Sequence, residues 1–338
     1  MNKFSRTSLP ERRAVACGVI EPILTGLRDR KVAGTYKRLA PGMDERIHTF
    51  LSPDTASFRF SSSDSPLYPN STNLQNLEKK VSKLDQLYRV RDIIMPAPGM
   101  VFLAGDYSGA EAIGCAAYSR DWTYLDKLLA GLDTHTELAI AFWGECDPLK
   151  RDVAKTIKYA SSYVAKVMTV TTNLNKEADQ LGRYFTQEEV HGYLQTLYTL
   201  HPLQRWWREV RDELEKHDGA IRNCFGYRRT FHDPNPDNRL KDACSFLPQS
   251  TVAWLMNRAI ALIFRHVDKP GARELLHQIH DELLFQCYED EIPFIVQTAT
   301  PILELPFKVH GRELHIPVEW KWSRTSWGEM KLLETSAS

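Results

Sequence analysis

Two adjacent carboxylates, Asp281 and Glu282, interrupt an otherwise apolar stretch that runs from Leu275 to Gln286. Two short apolar runs around a polar tip are typical of a tight β-hairpin. If that hairpin lay in a protein core, its charges would be desolvated, which is costly unless a cation pairs with them. Hard divalent ions such as Mg²⁺ bind one or two carboxylates and leave positions open for substrate phosphates. A solvated turn between edge strands explains this stretch equally well.

A second apolar run begins at Val101 and leads into another acid, Asp106, with Glu111 following at the opening of a predicted helix. Two apolar strands that are far apart in sequence therefore each deliver a carboxylate at one end. If the strands paired in one sheet, Asp106 and Asp281 could hold two metal ions about 4 Å apart, the geometry used for in-line phosphoryl transfer. This second stretch favours the metal-site interpretation over the solvated turn.

Residues 149–167 form the clearest predicted helix. Arg151, Lys155, Tyr159 and Tyr163 recur every four residues, so they lie along one face at about 6 Å per step. Two cations followed by two phenols suit a ligand that is anionic at one end and flat at the other. The alternative is a solvated basic face with two tyrosines in the core, and the helix by itself favours that alternative.

The composition sets few limits on function. With 338 residues, 43% hydrophobic and 25% charged, the chain has ordinary globular values. A net charge of zero counts mildly against nucleic-acid binding, which usually shows a basic balance. The basic residues are segregated, however, and could line a cleft: they bunch at 28–31, 37–38, 150–158, 205–211 and 228–229.

Targeting signals are not evident in the sequence. No apolar run reaches the length of a membrane span, and the N-terminus lacks the apolar core of a secretory signal. Glu11 and the absence of clear amphipathicity argue against a mitochondrial presequence. The six cysteines lack the close pairing of a zinc site or a disulfide framework. We therefore expect a cytoplasmic protein with no membrane partner.

Four segments jointly resemble the motifs of the family A (bacterial DNA polymerase I-like) DNA polymerases. Asp106–Glu111 resembles motif A, Arg151–Tyr163 resembles motif B and Gln278–Glu282 resembles motif C. Asn73–Asn76 resembles a further motif on the primer–template side. Each segment alone is a weak signal, but all four fall in the family's order and at about its spacing. The resemblance covers nearly the whole chain.

The resemblance implies an α+β, right-hand polymerase fold. The antiparallel-sheet palm would comprise residues 51–115 and 237–338, with helical fingers over 116–236 and a truncated thumb remnant over 1–50. In the family a long thumb, and often an exonuclease domain, precede this point. We therefore expect no proofreading within this chain, and a separate protein subunit that supplies thumb, processivity or exonuclease function is one possibility.

The resemblance also implies roles for individual residues. The catalytic carboxylates would be Asp106, Asp281 and Glu282. Two Mg²⁺ ions, with Mn²⁺ as a possible substitute, would be held by Asp106, Asp281 and the carbonyl of Tyr107. The dNTP would contact a second set of residues, in which Glu111 crowds the sugar 2′ position: Glu111, His135, Arg151, Lys155 and Tyr159. Primer and template DNA would contact a third set: Arg59, Asn73, Gln75, Tyr163, Arg228, Arg229, Gln249 and His280. Phe58 and Val164 stand where the family commonly has glycine.

The implied function is a DNA-templated DNA polymerase that acts at the nucleoid or at a site of viral DNA replication. Three alternatives stay open. A single-subunit RNA polymerase shares the palm chemistry, although Glu111 would crowd the 2′-hydroxyl of its substrate. An inactive DNA-binding relic would not need metal-binding carboxylates. A catalytic subunit that depends on a separate thumb or exonuclease partner is the most serious of the three.

Overall fold

The computed structural model describes residues 46–65, 67–68, 71–77, 90–176, 178 and 182–334. The chain divides into two compact units. The smaller contains residues 1–52 and 61–93, and the larger contains residues 53–60 and 94–338. The predicted thumb remnant, residues 1–50, lies outside the described residues except for residues 46–50.

The smaller unit contains a short antiparallel pair of strands, β1 (Phe50–Ser52) and β2 (Ser61–Ser63). Its irregular segments are tied by bonds from side chains to the backbone. The Arg91 guanidinium donates through Nε and Nη2 to the carbonyl oxygen of Leu77, at 3.1 and 2.9 Å. Such bonds satisfy buried polar groups where regular secondary structure does not.

The larger unit is built around an antiparallel sheet. In chain order its strands are β3 (Val101–Tyr107), β4 (Ala220–Arg222), β5 (Arg228–Thr230), β6 (Arg273–Ile279), β7 (Glu282–Cys287), β8 (Phe307–Val309), β9 (Arg312–Leu314), β10 (Val318–Ser323) and β11 (Lys331–Leu332). Five of them form the main sheet in the spatial order β11-β10-β3-β7-β6, and the other four form two separate two-stranded pairs. The prediction that the Asp106 strand and the Asp281 hairpin share one antiparallel sheet is confirmed.

Strand β3 lies in the middle of the main sheet. Its first four residues, Val101 to Ala104, are each at most 4% exposed. A continuous apolar run, without polar alternation, is expected of a strand that is covered on both faces. Gly105 interrupts the run because the Trp320 ring packs against it, and a Cβ at this position would lie 3.0 Å from that ring. The apolar run therefore anchors the strand whose end carries Asp106.

Helices occupy most of the remaining larger unit. In chain order the described part of the unit has α1 (Ala110–Ser119), α2 (Trp122–Leu129), α3 (Thr134–Trp143), α4 (Pro148–Ser162), α5 (Val167–Lys176), α6 (Gln187–Leu200), α7 (Leu203–Lys216), α8 (Pro236–His266) and α9 (Ile292–Leu303). Aspartates accept backbone N–H bonds at the starts of α2, α3 and α4, as N-cap residues do. No helix among the residues described is both long enough and apolar enough to cross a membrane.

The helix predicted over residues 149–167 is shorter in the structure, since α4 ends at Ser162. The hydroxyls of Ser161 and Ser162 donate to one carbonyl of the preceding turn, at 2.9 and 3.0 Å, and so compete for the acceptors of the last turn. Tyr163 is the C-cap residue, and Val164 has φ +57°. A β-branched residue rarely adopts this left-handed conformation. The prediction of a continuous helix to residue 167 is wrong.

Helices α1 and α8 make a close contact at Gly114, and this contact positions two residues of the predicted site. A Cβ at Gly114 would lie 2.7 Å from the Cβ of Pro248, a distance that forces the two helices apart. Glu111 lies one turn before Gly114, and Gln249 follows Pro248 directly. The separation of the helices therefore decides whether Glu111 and Gln249 meet.

We predict that Gly114→Ala destabilises the protein by about 1–3 kcal/mol through overpacking. Gly192→Ala is the matched control, because Gly192 lies inside α6 with open space around its would-be Cβ. That substitution should stabilise the protein by about 0.5–1 kcal/mol through helix propensity. Urea denaturation of the two variants measures both effects. Equal changes in the free energy of unfolding would contradict the close-contact argument.

Candidate active site

The three predicted catalytic acids lie where two neighbouring strands, β3 and β7, have adjoining ends. Asp106 of β3 is in register with Glu282 of β7. One residue further along, the backbone N–H of Tyr107 donates to the carbonyl oxygen of Asp281 at 3.0 Å. Backbone pairing therefore brings together acids that are far apart in sequence, and it does so without depending on flexible side chains.

The hairpin that carries Asp281 has the predicted form. Strands β6 and β7 flank the turn residues His280 and Asp281, and His280 has φ +56°. The amide Nε2 of Gln278 donates to the carbonyl oxygen of His280 at 2.6 Å, which ties the turn down. His280 is exposed, Asp281 is half-buried and Glu282 is only 3% exposed.

The donor atoms at this junction fit a divalent metal. Carboxylate oxygens of Asp106 and Asp281, together with the backbone carbonyl of Tyr107, are the hard ligands that Mg²⁺ prefers. Among the described residues, no three His, Cys, Asp or Glu side chains converge as a metal cluster. A catalytic Mg²⁺ site does not require such a cluster, because one or two carboxylates plus substrate phosphates suffice. The Lys321 ammonium lies 3.0 Å from Oδ2 of Asp106, so that carboxylate already attracts a cation.

The guanidinium of Arg151 is held in place from the neighbouring helix. Its Nε donates to Oδ2 of Asp133 at 2.8 Å, and Asp133 is also the N-cap of α3. The hydrogen bond from Arg151 is the main reason that the pKa of Asp133 lies well below its usual range. A bond through Nε leaves the two terminal nitrogens of the guanidinium as further donors.

His135 and Lys155 flank Tyr159. The rings of His135 and Tyr159 are 5.9 Å apart between centroids, and Nζ of Lys155 lies 6.0 Å from the Tyr159 centroid. Nδ1 of His135 is buried and has no hydrogen-bond partner among the described residues. Burial, and then the charges of Lys155 and Arg151, lower the pKa of His135. These features suit a site that receives an anionic ligand.

Glu111 belongs to a polar group between α1, α4 and α8. Its Oε1 accepts a hydrogen bond from Nε2 of Gln249 at 3.2 Å. The Tyr163 hydroxyl interacts with the carboxylate of Glu111 and lies 3.8 Å from Sγ of Cys115. Burial, followed by the charges of Cys115 and Glu111, raises the pKa of Tyr163. These contacts fix the orientation of the Glu111 side chain.

Tyr159 links the face of α4 to the strand-end acids. Burial is the largest cause of its raised pKa, and the negative charges of Glu111 and Asp281 raise that pKa further. An electrostatic effect of this kind requires proximity. Glu111, His135 and Tyr159 line one small pocket, and Asp281 is near enough for its charge to act on the Tyr159 hydroxyl.

The other predicted contact residues have surroundings of their own. Arg228 lines a separate cavity of about 890 Å³, together with residues of α7 and β4. The guanidinium of its neighbour Arg229 lies 4.5 Å from the ring of Phe231. Nε of Arg59 is buried with no hydrogen-bond partner among the described residues. Asn73 and Gln75 lie in the smaller unit.

Phe58 and Val164, which stand at positions where glycine was expected from the resemblance, both have a left-handed backbone conformation. Phe58 has φ +61° and Val164 has φ +57°. The ring of Phe58 packs against Tyr227 at 4.4 Å between centroids, and its carbonyl oxygen accepts a bond from Nδ2 of Asn257 at 3.0 Å. These contacts hold a conformation that glycine would adopt without steric cost.

Sequence analysis missed two lysines beside the site. Lys158 precedes Tyr159 and is 6% exposed, with Nζ 4.1 Å from the ring centroid of Tyr124. Lys321 contacts Asp106. Alternation along the last long strand could have placed Lys321 on the same face as Glu319. The acid that Lys321 meets depends on strand register, which the sequence does not reveal.

The buried charge of Lys158 predicts a pH-dependent stability. Burial lowers the pKa of Lys158 from 10.5 to about 8, although Asp121 and Cys115 oppose the change. Between these two pH values the unfolded chain binds more protons than the folded chain, so folding stability rises with pH in that window. Below pH 8 the penalty for burying the ammonium is fully present, and it disappears above about pH 10.5.

Lys158→Met should therefore stabilise the protein by about 2 kcal/mol at pH 7. This gain should shrink as the pH rises from 8 to 10. Denaturant unfolding at both pH values measures it, with the exposed Lys176→Met as the control. A stability gain that stays constant with pH would show that better packing, and not the buried charge, is responsible.

Comparison with known proteins identifies the fold first. A solved structure described as "POL domain of Pol1 from M. smegmatis complex with DNA primer-template and dNTP" matches with a TM-score of 0.74, over 95% of this chain and 56% of that chain. The sequence identity is 23%. The α+β polymerase-domain fold is therefore confirmed.

The chain belongs to DNA polymerase family A, whose sequence model matches residues 19–329. The thermostable DNA polymerase I of Thermus aquaticus is 29% identical over 303 residues, which is 85% of this chain and 34% of that relative. The DNA polymerase I of Helicobacter pylori (strain ATCC 700392 / 26695) is 26% identical over 297 residues, covering 85% of this chain and 31% of the relative. The chain thus spans about a third of the length of these curated relatives.

Proposed function

We propose that this chain is a DNA-templated DNA polymerase that adds dNTPs to a primer 3′-hydroxyl by two-metal nucleotidyl transfer. One observation carries the proposal. The pairing of Asp106 with Glu282, and the bond from Tyr107 to Asp281, bring three acids to one end of the sheet. Binding of DNA alone would not require carboxylates there, because DNA itself is an anion.

Asp106, Asp281 and the carbonyl of Tyr107 would hold two divalent ions, Mg²⁺ or Mn²⁺. When bound, such ions lower the pKa of the attacking hydroxyl and neutralise charge on the departing pyrophosphate. Glu282, which is buried beside Asp106, would adjust the electrostatic potential at the metal site. Family A polymerases generally use divalent metals, which supports this assignment.

The face of α4 would hold the incoming nucleotide. Arg151, Lys155 and His135 would bind the triphosphate through charge-assisted hydrogen bonds. Tyr159 would stack on the base or sugar. Glu111 would crowd the sugar 2′ position and so favour deoxynucleotides, and its bond to Gln249 holds it in one orientation.

The remaining predicted residues would contact nucleic acid. Tyr163 would lie against the template base, and His280 would contact the primer end. Phosphate and minor-groove acceptors would meet a further set of donors: Arg59, Asn73, Gln75, Arg228, Arg229 and Gln249. In this assignment residues 51–115 and 237–338 form the palm, residues 116–236 the fingers and residues 1–50 the thumb remnant.

A second candidate is a catalytic subunit that works only with a separate protein that supplies thumb, processivity or exonuclease function. Either form would act where DNA is replicated or repaired, which in a bacterial or viral setting is the cytoplasm. One-to-one association with a second chain, recovered from the native source, would support the subunit form.

Primer extension by the purified chain tests the proposal. The assay contains Mg²⁺, four dNTPs and a primer–template, beside reactions that lack the template or the metal. Extension that copies the template and needs the metal would support a self-sufficient polymerase. Metal-dependent dNTP binding without extension would support the subunit form. The absence of both extension and metal-dependent dNTP binding would sink the proposal and favour an inactive relic.

A further inference from the structure

The final long strand places a lysine beside a proposed metal ligand. Strand β10 pairs with β3 so that Glu319 is opposite Asp106 and Lys321 is opposite Ala104. Residues two apart on a strand share a face, so Glu319 and Lys321 both lie on the face of Asp106. Nζ of Lys321 is 3.0 Å from Oδ2 of Asp106 and 3.6 Å from Oε2 of Glu319.

The sheet fixes the backbone position of Lys321, and its side chain reaches diagonally from opposite Ala104 to Asp106. All six residues of β10 pair with β3. The intervening Trp320 is 5% exposed, and its Nε1 donates to Oγ1 of Thr300 at 3.0 Å on the opposite face. A shift of one residue in register would expose this ring. The sheet therefore keeps the backbone of Lys321 within one side-chain length of Asp106.

The environment of the pair is partly desolvated. The side chains of Lys321 and Asp106 are 28% and 17% exposed. An ion pair in such surroundings is screened less than one on the open surface. The carboxylate of Asp106 is thus partly neutralised before any other cation arrives.

We propose that Lys321 is a built-in counter-ion that competes with the divalent cation for Asp106 and so weakens the affinity of the site for metal. This inference rests on the proposed function, in which Asp106 is a metal ligand. A divalent ion at Asp106 must approach the ammonium or displace it. Glu319 offers the displaced ammonium a second carboxylate on the same strand, so displacement does not leave Lys321 unpaired.

Removing the ammonium should tighten metal binding. At about 5 Å from a divalent ion, one positive charge weakens binding by about tenfold even at the dielectric constant of water. We therefore expect Lys321→Met to bind Mn²⁺ about tenfold more tightly than the native chain. Lys321→Arg keeps the charge and should show no such tightening. Lys308→Met removes an exposed lysine of β8 that pairs with Glu313, and it should bind Mn²⁺ as the native chain does.

The test is a titration of the full chain with Mn²⁺ in the absence of DNA and nucleotide. Electron paramagnetic resonance measures the free and bound Mn²⁺ at each point of the titration. Asp106→Asn in the native and Lys321→Met backgrounds identifies the signal that belongs to this site. Tighter Asp106-dependent binding in Lys321→Met alone supports the inference. Equal or weaker binding in that variant overturns it and leaves the proposed function intact, with Lys321 then orienting the carboxylate. If Asp106→Asn changes nothing in either background, the metal site of the proposed function fails, and the inference fails with it.

Discussion

Replacing Asp106 with asparagine should lower template-directed extension by about 10³-fold or more, because the neutral amide cannot hold a divalent ion as a carboxylate does. Asparagine has nearly the same shape, and the strand is fixed by backbone pairing on both sides. The free energy of unfolding should therefore change by only about 1 kcal/mol. Glu319 remains as a partner for the Lys321 ammonium.

The control for this prediction is Asp290→Asn. Asp290 is an exposed acid in the short 3₁₀ helix Glu289–Glu291, which follows β7. It is not one of the acids at the strand ends. Its replacement should leave extension unchanged within about twofold. Single-turnover extension rates at several Mg²⁺ concentrations measure the effect. If Asp106→Asn kept a rate within tenfold of the native rate, the two-metal mechanism on these strand ends would be wrong.

Replacing Lys155 with alanine should lower kcat/KM for the dNTP by about 10²–10³-fold, the cost of removing one preorganised cation that contacts the transferring phosphates. Lys155 lies on the exposed face of α4, with Nζ 6.0 Å from the ring centroid of Tyr159. Because Lys155 is exposed, its loss should not unfold the helix. KM should rise because a contact with the bound triphosphate is lost, and kcat should fall because the cation would stabilise the developing charge of the transition state more strongly than the substrate.

The matched control is Lys150→Ala on the same helix. Lys150 pairs with Glu145 and Asp147 at the helix start and does not lie on the face that carries Tyr159. Its loss should change kcat/KM by about twofold or less. A second readout is the pH profile. The charge of Lys155 lowers the pKa of His135, so Lys155→Ala should raise that pKa and move the pH at which His135 loses its proton, and with it its charge-assisted contact to the triphosphate, to higher pH. Similar kinetics for both lysine variants would refute a triphosphate contact at Lys155.

The sequence alone determined the local features of the site. An apolar run followed by an acid predicted β3 and its end at Asp106, and the run around Asp281 predicted the hairpin of β6 and β7. The order and spacing of the four motifs together predicted the family, and the match of the family model over residues 19–329 confirmed it. These features were readable because hydrophobic periodicity and turn chemistry act on neighbouring residues.

Other local features could be misread. The four-residue spacing of Arg151, Lys155 and Tyr159 correctly predicted a shared helix face, but Tyr163 lies at the C-cap of that helix. Serine hydroxyls and the left-handed Val164 end the helix there. The spacing pattern alone contains no information on where competing hydrogen bonds stop a helix.

Only the tertiary structure decided which side chains meet. Two contacts, from Gln249 to Glu111 and from Lys321 to Asp106, join residues that are far apart in the sequence. Lys158 is buried, although it belongs to a basic run that the sequence alone would place at the surface. Each depends on strand register or helix separation, as at Gly114 and Pro248. Register and separation result from the sum of many weak packing contacts across the whole unit. No single stretch of residues encodes that sum, so the partners of Asp106 became visible only in the folded chain.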